Sequence, residues 1–249
     1  MDPIISARSV RKSFGNRVAL ENVDLLVEKG QFVVIFGPNG AGKTTLLKAL
    51  ATVITPTRGA LIMDGIDIKK DPAAARQIIG VVSHETYLYD ELTARENLRF
   101  FGKMYGIGKV ALEERIEELL TKVSLLKRGN DRVGSFSRGM KQRLSIARAL
   151  VHKPSILLMD EPYTGLDPQA AETFENVLKS LNTNMVTKIM VSHDIERVLQ
   201  LCDRVIIMDS GKIVHDSLRT ELADVEEFKS IYRSLVCGDR ELKEVSDFQ

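Results

Sequence analysis

The sequence has 249 residues, of which 44% are hydrophobic and 28% charged, a globular balance that argues against long disorder or a fibrous repeat. Its 35 lysines and arginines nearly cancel its 34 aspartates and glutamates, so no global charge favours nucleic acid or an anionic lipid surface. Two isolated cysteines, Cys202 and Cys237, suggest neither a disulfide framework nor a zinc site, and no stretch approaches the roughly 20 apolar residues that span a bilayer.

The first third of the chain predicts short strands and one helix. Turns at 15–16 and 29–30 separate strand-like pieces, and the apolar run 32–36 is typical of a buried parallel strand. A Gly-rich turn follows this strand, and residues 43–52 then repeat leucine at helical spacing. Residues 60–82 return to short strands around a helical turn.

The middle of the chain predicts an inserted helical region, and the last part returns to alternating strands and helices. Thr93 and Glu96 form a capping box at the start of a charged helical stretch that runs to Val123. The later predicted elements are a helix at 140–151, a strand at 156–159, a helix at 168–182, a strand at 188–191, a helix at 195–201, a strand at 205–208 and a helical tail from about 220. This alternation predicts an α/β core.

Residues 37–44 match the phosphate-loop pattern GxxxxGK[ST], and they lie between a predicted strand and a predicted helix. The motif consists of Gly37, Pro38, Asn39, Gly40, Ala41, Gly42, Lys43 and Thr44. Glycines let successive N–H groups point at phosphates, and the helix presents its positive end to the same charge. We expect Lys43 to contact the β and γ phosphates of ATP and the Thr44 hydroxyl to ligate Mg²⁺, with Thr45 beside it.

The apolar strand 156–159 ends in two carboxylates, Asp160 and Glu161. A carboxylate at the end of a neighbouring parallel strand faces a phosphate-bound metal, so Asp160 is predicted to hold Mg²⁺, directly or through water. Glu161 is predicted to act as the general base on the attacking water. Alone, the same residues could be a capped edge strand; the phosphate loop favours the catalytic interpretation.

Residues 135–143 distinguish this chain from other P-loop NTPases. Residues 136–140 resemble the LSGGQ signature of the ATP-binding cassette (ABC) family, since Ser137 and Gly139 are kept while the other three positions depart from it. The Ser137 hydroxyl, the Gly139 N–H and a helix N-terminus would form a second anion site, although Ser137 could also be an ordinary N-cap. The resemblance implies a head-to-tail homodimer, or a heterodimer with a similar ATPase, that holds ATP between opposing subunits.

Other positions resemble functional residues of the same family. Asp167 falls in the D-loop position, His193 resembles the switch histidine that contacts the γ phosphate, and Phe14 resembles the aromatic that stacks on adenine. The alternatives are a solvated or core histidine and a core strand aromatic. Where the family has a glutamine that touches Mg²⁺ or the attacking water, this chain has His84, which implies a catalytic imidazole and pH-dependent hydrolysis.

The resemblance covers nearly the whole chain and implies its architecture. It implies a single ABC ATPase domain of the α/β class, a P-loop NTPase with a RecA-like parallel core and an antiparallel β subdomain. The core and β subdomain would occupy about 1–82 and 146–220, the helical subdomain 83–145 and a helical tail 221–249.

Residues 87–99 resemble the part of transporter ATPases that receives the coupling helix of a membrane subunit. The resemblance therefore implies a cytoplasmic ATPase that is peripheral on the inner face of the cell membrane and powers transmembrane permease subunits. Residues 83–98, 136–150 and 160–168 look most like the CcmA-type ATPases of haem export and cytochrome c maturation, and next like drug or polysaccharide exporters.

Two alternatives belong to other functional classes. An ABC ATPase that acts on nucleic acid or ribosomes typically carries two cassettes or a coiled-coil insertion, and this sequence has one cassette, no heptads and no basic stripe. No nucleic acid partner is therefore expected. The second alternative is a scaffold that binds ATP without hydrolysing it.

Overall fold

The computed structural model describes residues 3–83, 85–182 and 185–236, which belong to two compact units. Of the described residues, 3–72 and 188–236 belong to unit 1, and 73–83, 85–182 and 185–187 belong to unit 2. In chain order the elements are β1 (Ile5–Phe14), β2 (Arg17–Val27), β3 (Phe32–Phe36), α1 (Lys43–Leu50), β4 (Arg58–Met63), β5 (Ile66–Asp67), α2 (Pro72–Gln77), β6 (Ile79–Val82), α3 (Ala94–Met104), α4 (Lys109–Lys122), α5 (Arg138–Leu150), β7 (Ile156–Asp160), α6 (Pro168–Asn182), β8 (Thr187–Val191), α7 (Ile195–Val198), β9 (Arg204–Asp209), β10 (Lys212–Leu218) and α8 (Val225–Val236).

Unit 1 contains an antiparallel sheet in the order β2-β1-β4-β5. The central strand β1 pairs on both sides, with Ile5 opposite Val27 of β2 and Met63 of β4. These three apolar side chains are buried, so they form part of the core of this sheet. The predicted turn at 15–16 joins β1 to β2 as a two-residue hairpin connection, which Gly15 permits with a φ of 57°.

Unit 1 also contains four strands in the order β10-β9-β3-β8, with β3 parallel to both β8 and β9. All five residues of β3 are buried, which explains why the strand reads as a continuous apolar run instead of an alternating pattern. Phe228 of α8 packs on Phe36 with ring centroids 5.0 Å apart. The C-terminal helix therefore covers the end of the strand that leads into the phosphate loop.

Unit 2 combines the parallel strands β6 and β7 with a helical layer. The register places Ile79 opposite Ile156 and Val82 opposite Met159, so the carboxyl ends of the two strands lie at the same edge. The predicted capping box is confirmed, because Thr93 Oγ1 accepts from the Glu96 N–H and the Glu96 carboxylate accepts from the Thr93 N–H. Helix α3 therefore begins where the sequence predicts.

Two elements differ from the prediction. The predicted helix at 195–201 ends at Val198, and strand β10 was not predicted at all. Alternate residues of β10 are exposed, and its polar side chains give no apolar run for a pattern search to detect. Among the described residues, no helix is both long enough and apolar enough to cross a membrane. The subdomain boundaries implied by the family resemblance stay a prediction.

Candidate active site

The loop between β3 and α1 has a backbone that only glycine can adopt at two of its positions. Gly37 has a φ of 148° and Gly42 a φ of 100°. A Cβ atom on Gly37 would lie 2.1 Å from the Met208 carbonyl oxygen, and one on Gly42 would lie 2.5 Å from the Ala19 carbonyl oxygen. The predicted phosphate loop is therefore tightly curled and packed against backbone on two sides, as the motif requires.

Lys43 is held inside this loop. Its side chain is only 7% exposed, and Nζ donates hydrogen bonds to the carbonyl oxygens of Gly37 (2.6 Å) and Pro38 (2.9 Å). Helix α1 begins after Gly42 without a side-chain cap and without an acidic residue in its first turn. A helix start of this kind, beside a buried ammonium group, is suited to bind phosphate oxygens. The hydroxyl-bearing Thr44 is exposed on the same turn.

The parallel register of unit 1 places His193 at the same sheet edge as the phosphate loop. Ile35 of β3 lies opposite Val191 of β8, and the Ser192 N–H donates to the Ile35 carbonyl oxygen at 3.4 Å. His193 is exposed, so the alternative of a core histidine is excluded. Its predicted contact with the γ phosphate stays a prediction.

Phe14 is the last residue of β1 and is 51% exposed. The alternative of a core strand aromatic is therefore wrong. The Lys12 ammonium lies 4.9 Å from the centroid of the Phe14 ring, and Lys12 Nζ also donates to the Thr55 carbonyl oxygen at 2.8 Å. The exposed ring is available for stacking on a planar base, which is the role that the family resemblance implies.

In unit 2, the carboxyl end of β7 presents the two predicted carboxylates. Asp160 closes the strand and Glu161 follows it, and both side chains are half-buried. Glu161 has a φ of 49°, in the left-handed region that non-glycine residues rarely adopt. The Thr164 N–H donates to the Glu161 carbonyl oxygen at 3.1 Å and closes a turn. Backbone strain of this kind concentrates at functional sites.

The signature residues and the D-loop aspartate lie together in unit 2. Ser137 caps α5, since its Oγ accepts from the Met140 N–H at 3.2 Å. A Cβ atom added to the buried Gly139 would lie 3.5 Å from Asp167 Oδ2, and Asp167 Oδ1 accepts from the Ala170 N–H at 2.7 Å. The alternative of an N-cap at Ser137 is therefore confirmed, and a cap is compatible with the predicted anion site at the same helix end, which stays a prediction.

Arg138 departs from the family signature, and the structure shows how the chain accommodates it. Gly165 has a φ of 79°, and a Cβ atom there would lie 2.4 Å from Arg138 Nε. The Arg138 side chain therefore lies against the Gly165 backbone. The larger residue in the signature fits because the D-loop keeps a glycine opposite it.

Sequence reasoning missed two polar residues of α5, the buried Gln142 and the half-buried Arg148. Gln142 donates from Nε2 to the Ser83 and Pro162 carbonyl oxygens, at 3.3 and 3.4 Å. Arg148 Nη2 donates to the Val81 carbonyl oxygen at 2.9 Å. Their only sequence signal is the polar pattern that follows the signature, which periodicity alone assigns to an exposed helix face.

Burial also lowers the pKa of two basic side chains in unit 2. It lowers the pKa of Arg148, whose guanidinium lies 5.3 Å from the Phe101 ring centroid, and it lowers the pKa of His152 to about 4. His152 stacks on Tyr105 with ring centroids 3.8 Å apart, and its Nε2 lies 3.0 Å from the Ile79 carbonyl oxygen. Because a carbonyl only accepts, Nε2 carries the proton of a neutral ring. His152 is therefore a structural residue.

Two further predictions concern metal chemistry and the catalytic imidazole. His84 lies outside the described residues, so its predicted catalytic role stays a prediction. In the described part of the chain, no three His, Cys, Asp or Glu side chains cluster to hold a metal ion. Mg²⁺ at a nucleotide needs only one or two protein oxygens in addition to the phosphates, and the hydroxyl of Thr44 and the carboxylate of Asp160 are oxygen donors of that kind.

Comparisons with known proteins extend these observations. A family profile described as ABC transporter matches residues 20–164. The ABC transporter ATP-binding protein NatA of Bacillus subtilis is 43% identical over 209 residues, which cover 84% of this chain and 85% of that protein. The linearmycin resistance ATP-binding protein LnrL of the same species is 38% identical over 219 residues, or 88% of this chain and 70% of that protein.

A solved structure gives the same result for the fold. The dimeric ATP-binding cassette MJ0796, in a post-hydrolysis state with ADP and Pi, superposes with a TM-score of 0.79 at 32% identity, covering 86% of this chain and 98% of that chain. The predicted fold class, an α/β P-loop ATPase of the ABC family, is confirmed by this superposition and by the family match.

Proposed function

The chain belongs to the ABC transporter ATP-binding family, and from this premise we propose that it powers export of a drug-like molecule through a separate transmembrane permease. It is an ATPase whose hydrolysis is coupled to transport. The observation that carries the export proposal is the relative named for linearmycin resistance, which matches 88% of this chain. The alternative of a scaffold that does not hydrolyse ATP is excluded by this family membership.

The predicted assignment to the CcmA-type haem exporters is not supported by the relatives. Several of the relatives carry names of drug resistance or Nod factor export ATPases, which favour the alternative of a drug exporter. The subfamily prediction depended on residues 83–98, 136–150 and 160–168. The predicted roles of these segments concern ATP and the permease, so the segments carry little information about the transported molecule.

The chemistry proposed for hydrolysis assigns one task to each side chain. The N–H groups of the phosphate loop and the Lys43 ammonium bind the β and γ phosphates. The Thr44 hydroxyl and the Asp160 carboxylate would each offer an oxygen to Mg²⁺, which when bound would offset the negative charge of those phosphates. Glu161 accepts a proton from the attacking water, and His193 donates a hydrogen bond to the γ phosphate.

Two copies of this chain, or one copy and a similar ATPase, are proposed to associate head to tail on binding ATP. Ser137 and Gly139 lie at the start of a 13-residue helix that has no acidic side chain in its first turn. This end carries a partial positive charge, so it suits a phosphate presented by the opposing subunit. The dimeric state of MJ0796 supports the proposal.

An exposed aromatic patch in unit 2 is proposed to receive the permease. We call it the aromatic patch, and it consists of Tyr89, Phe100 and Phe101, with ring centroids 5.0 to 6.1 Å apart. Phe100 is 40% exposed. The buried Asn97 fixes Tyr89 by accepting from its N–H at 2.9 Å and donating to its carbonyl oxygen at 3.0 Å. Exposed aromatic side chains on a rigid support are typical of protein interfaces.

We expect Phe100→Asp to release the chain from its permease without changing hydrolysis by the isolated chain. A carboxylate in the centre of an aromatic interface loses its hydration without gaining a partner, which weakens binding by about 2 to 5 kcal/mol. The measurement is recovery of multi-spanning membrane proteins with the tagged chain in mild detergent. Val110→Asp on α4 is the matched control, because Val110 is 75% exposed and lies outside the aromatic patch. Equal recovery with both variants would contradict the assignment.

The export proposal itself is tested in cells. Deletion of the gene is expected to make the cells several-fold more sensitive to at least one amphiphilic drug, and the intact gene, but not a Lys43→Met copy, is expected to restore resistance. The measurement is growth inhibition and intracellular drug content across a panel that includes linearmycin and doxorubicin. Unchanged sensitivity and drug content across the panel would refute drug export, and recovery of ribosomal or DNA-bound proteins with the tagged chain would refute transport.

A further inference from the structure

Gln142 joins two strand ends of unit 2 through a single side-chain amide. It is the fifth residue of α5 and is 3% exposed. Its Nε2 donates to the carbonyl oxygen of Ser83, which follows β6, and to that of Pro162, which follows Glu161. The amide has two N–H groups, so each carbonyl oxygen can receive its own hydrogen bond. The signature helix is thereby attached to both strand ends by one residue.

The same helix makes a second attachment to the end of β6. Arg148 Nη2 donates to the Val81 carbonyl oxygen at 2.9 Å, two residues before Ser83. Arg148 lies nearly two turns beyond Gln142, so α5 contacts the strand end at two points along its length. A helix held at two points moves with the strand as a rigid body, and a shift at the signature would be transmitted to residues 81–83.

The contact with Pro162 matters because of the backbone at Glu161. The left-handed conformation of Glu161 is disfavoured for a residue with a side chain, so it persists only when the surrounding structure holds it. The Thr164 N–H holds the turn through the Glu161 carbonyl oxygen, and the Gln142 amide holds it through the next carbonyl group. Loss of the Gln142 amide would allow the turn to relax and to reorient the Glu161 carboxylate.

We propose that Gln142 is a positioning residue for ATP hydrolysis, one that fixes the Glu161 turn and Ser83 to the signature helix. Gln142 does not touch the reacting atoms; it acts through the orientation of Glu161. This role goes beyond the proposed export function, because it concerns the hydrolysis step alone and is independent of the transported molecule. ATP hydrolysis and the binding of the opposing subunit's phosphate at the signature helix are then linked through one buried amide.

The first test replaces Gln142 with Met, which keeps the length of the side chain but donates no hydrogen bond. We expect kcat to fall about 10- to 100-fold while KM for ATP changes less than about threefold, because a misplaced base slows the chemical step and leaves nucleotide binding intact. Ser145→Ala is the matched control. Ser145 is also buried on α5, and among the described residues its hydroxyl donates to the Gln142 carbonyl oxygen of its own helix and makes no hydrogen bond to either strand end, so kcat is expected to stay within about twofold.

A second measurement separates positioning from general structural support. If Gln142 acts through Glu161, then Gln142→Met should lower single-turnover hydrolysis little further when Glu161→Gln is already present, since residues that act as a unit are not additive. The same fold-loss in both backgrounds, or an unchanged kcat for a folded Gln142→Met variant, would overturn the proposal. If Gln142→Met fails to fold, Gln142→Glu is carried through the same cycle, because Glu keeps the side-chain shape. The same two outcomes would then overturn the proposal.

Discussion

Replacing Lys43 with Met is expected to lower the kcat for ATP hydrolysis by about 10² to 10³-fold and to weaken ATP binding. The ammonium is the only side-chain cation within the matched motif of residues 37–44, and it is already directed into the loop by the Gly37 and Pro38 carbonyl oxygens. Met fills a similar volume but neutralises no phosphate charge. It also leaves two carbonyl groups without their donor, which costs about 1–3 kcal/mol of folding free energy for each buried group.

The matched control for Lys43→Met is Lys48→Met. Lys48 lies on the same helix but is exposed, so its loss is expected to leave hydrolysis, ATP affinity and stability nearly unchanged. The measurements are steady-state hydrolysis, ATP affinity by calorimetry and the melting temperature of each variant. Parental hydrolysis by a folded Lys43→Met variant would show that the loop does not hold the reacting phosphates.

Features that depend on neighbouring residues could be predicted from the sequence. The phosphate loop, the capping box at Thr93 and the turn at 15–16 need only a few consecutive residues, and the structure shows all of them. The buried strand at 32–36 was predictable because a strand covered on both faces reads as an unbroken apolar run. Local signals of this kind did not predict the sheet order, since they do not say which strands pair.

Features that depend on distant contacts could not be predicted. The Gln142 amide meets the Ser83 carbonyl group across 59 positions of sequence, so no local pattern distinguishes it from a solvated glutamine. The left-handed φ of Glu161 is a property of the folded turn, because Glu has no intrinsic preference for that region. The transported molecule is a further case, since the residues that identify the family are those predicted to bind ATP.

Glu161→Gln is expected to abolish steady-state hydrolysis, with kcat reduced by about 10² to 10⁴-fold, while ATP binding persists. The amide has nearly the same shape as the carboxylate, but it cannot accept a proton from water. Bound ATP is then trapped, so the variant is expected to form a stable dimer with Mg-ATP. Size-exclusion chromatography with light scattering measures the mass with and without nucleotide. Undiminished turnover in this variant would remove Glu161 from the role of general base.

Ser137→Arg added to Glu161→Gln is expected to prevent that dimer while ATP still binds to each monomer. The longer side chain occupies the start of α5, where Ser137 Oγ now caps the Met140 N–H and where the phosphate of the opposing subunit is proposed to bind. Ser135→Arg is the matched control, because Ser135 is also exposed but lies before the helix, in the short 3₁₀ turn Val133–Ser135. A dimer that survives Ser137→Arg would contradict the head-to-tail arrangement, and a dimer lost equally with both variants would place the interface on the loop instead of the helix start.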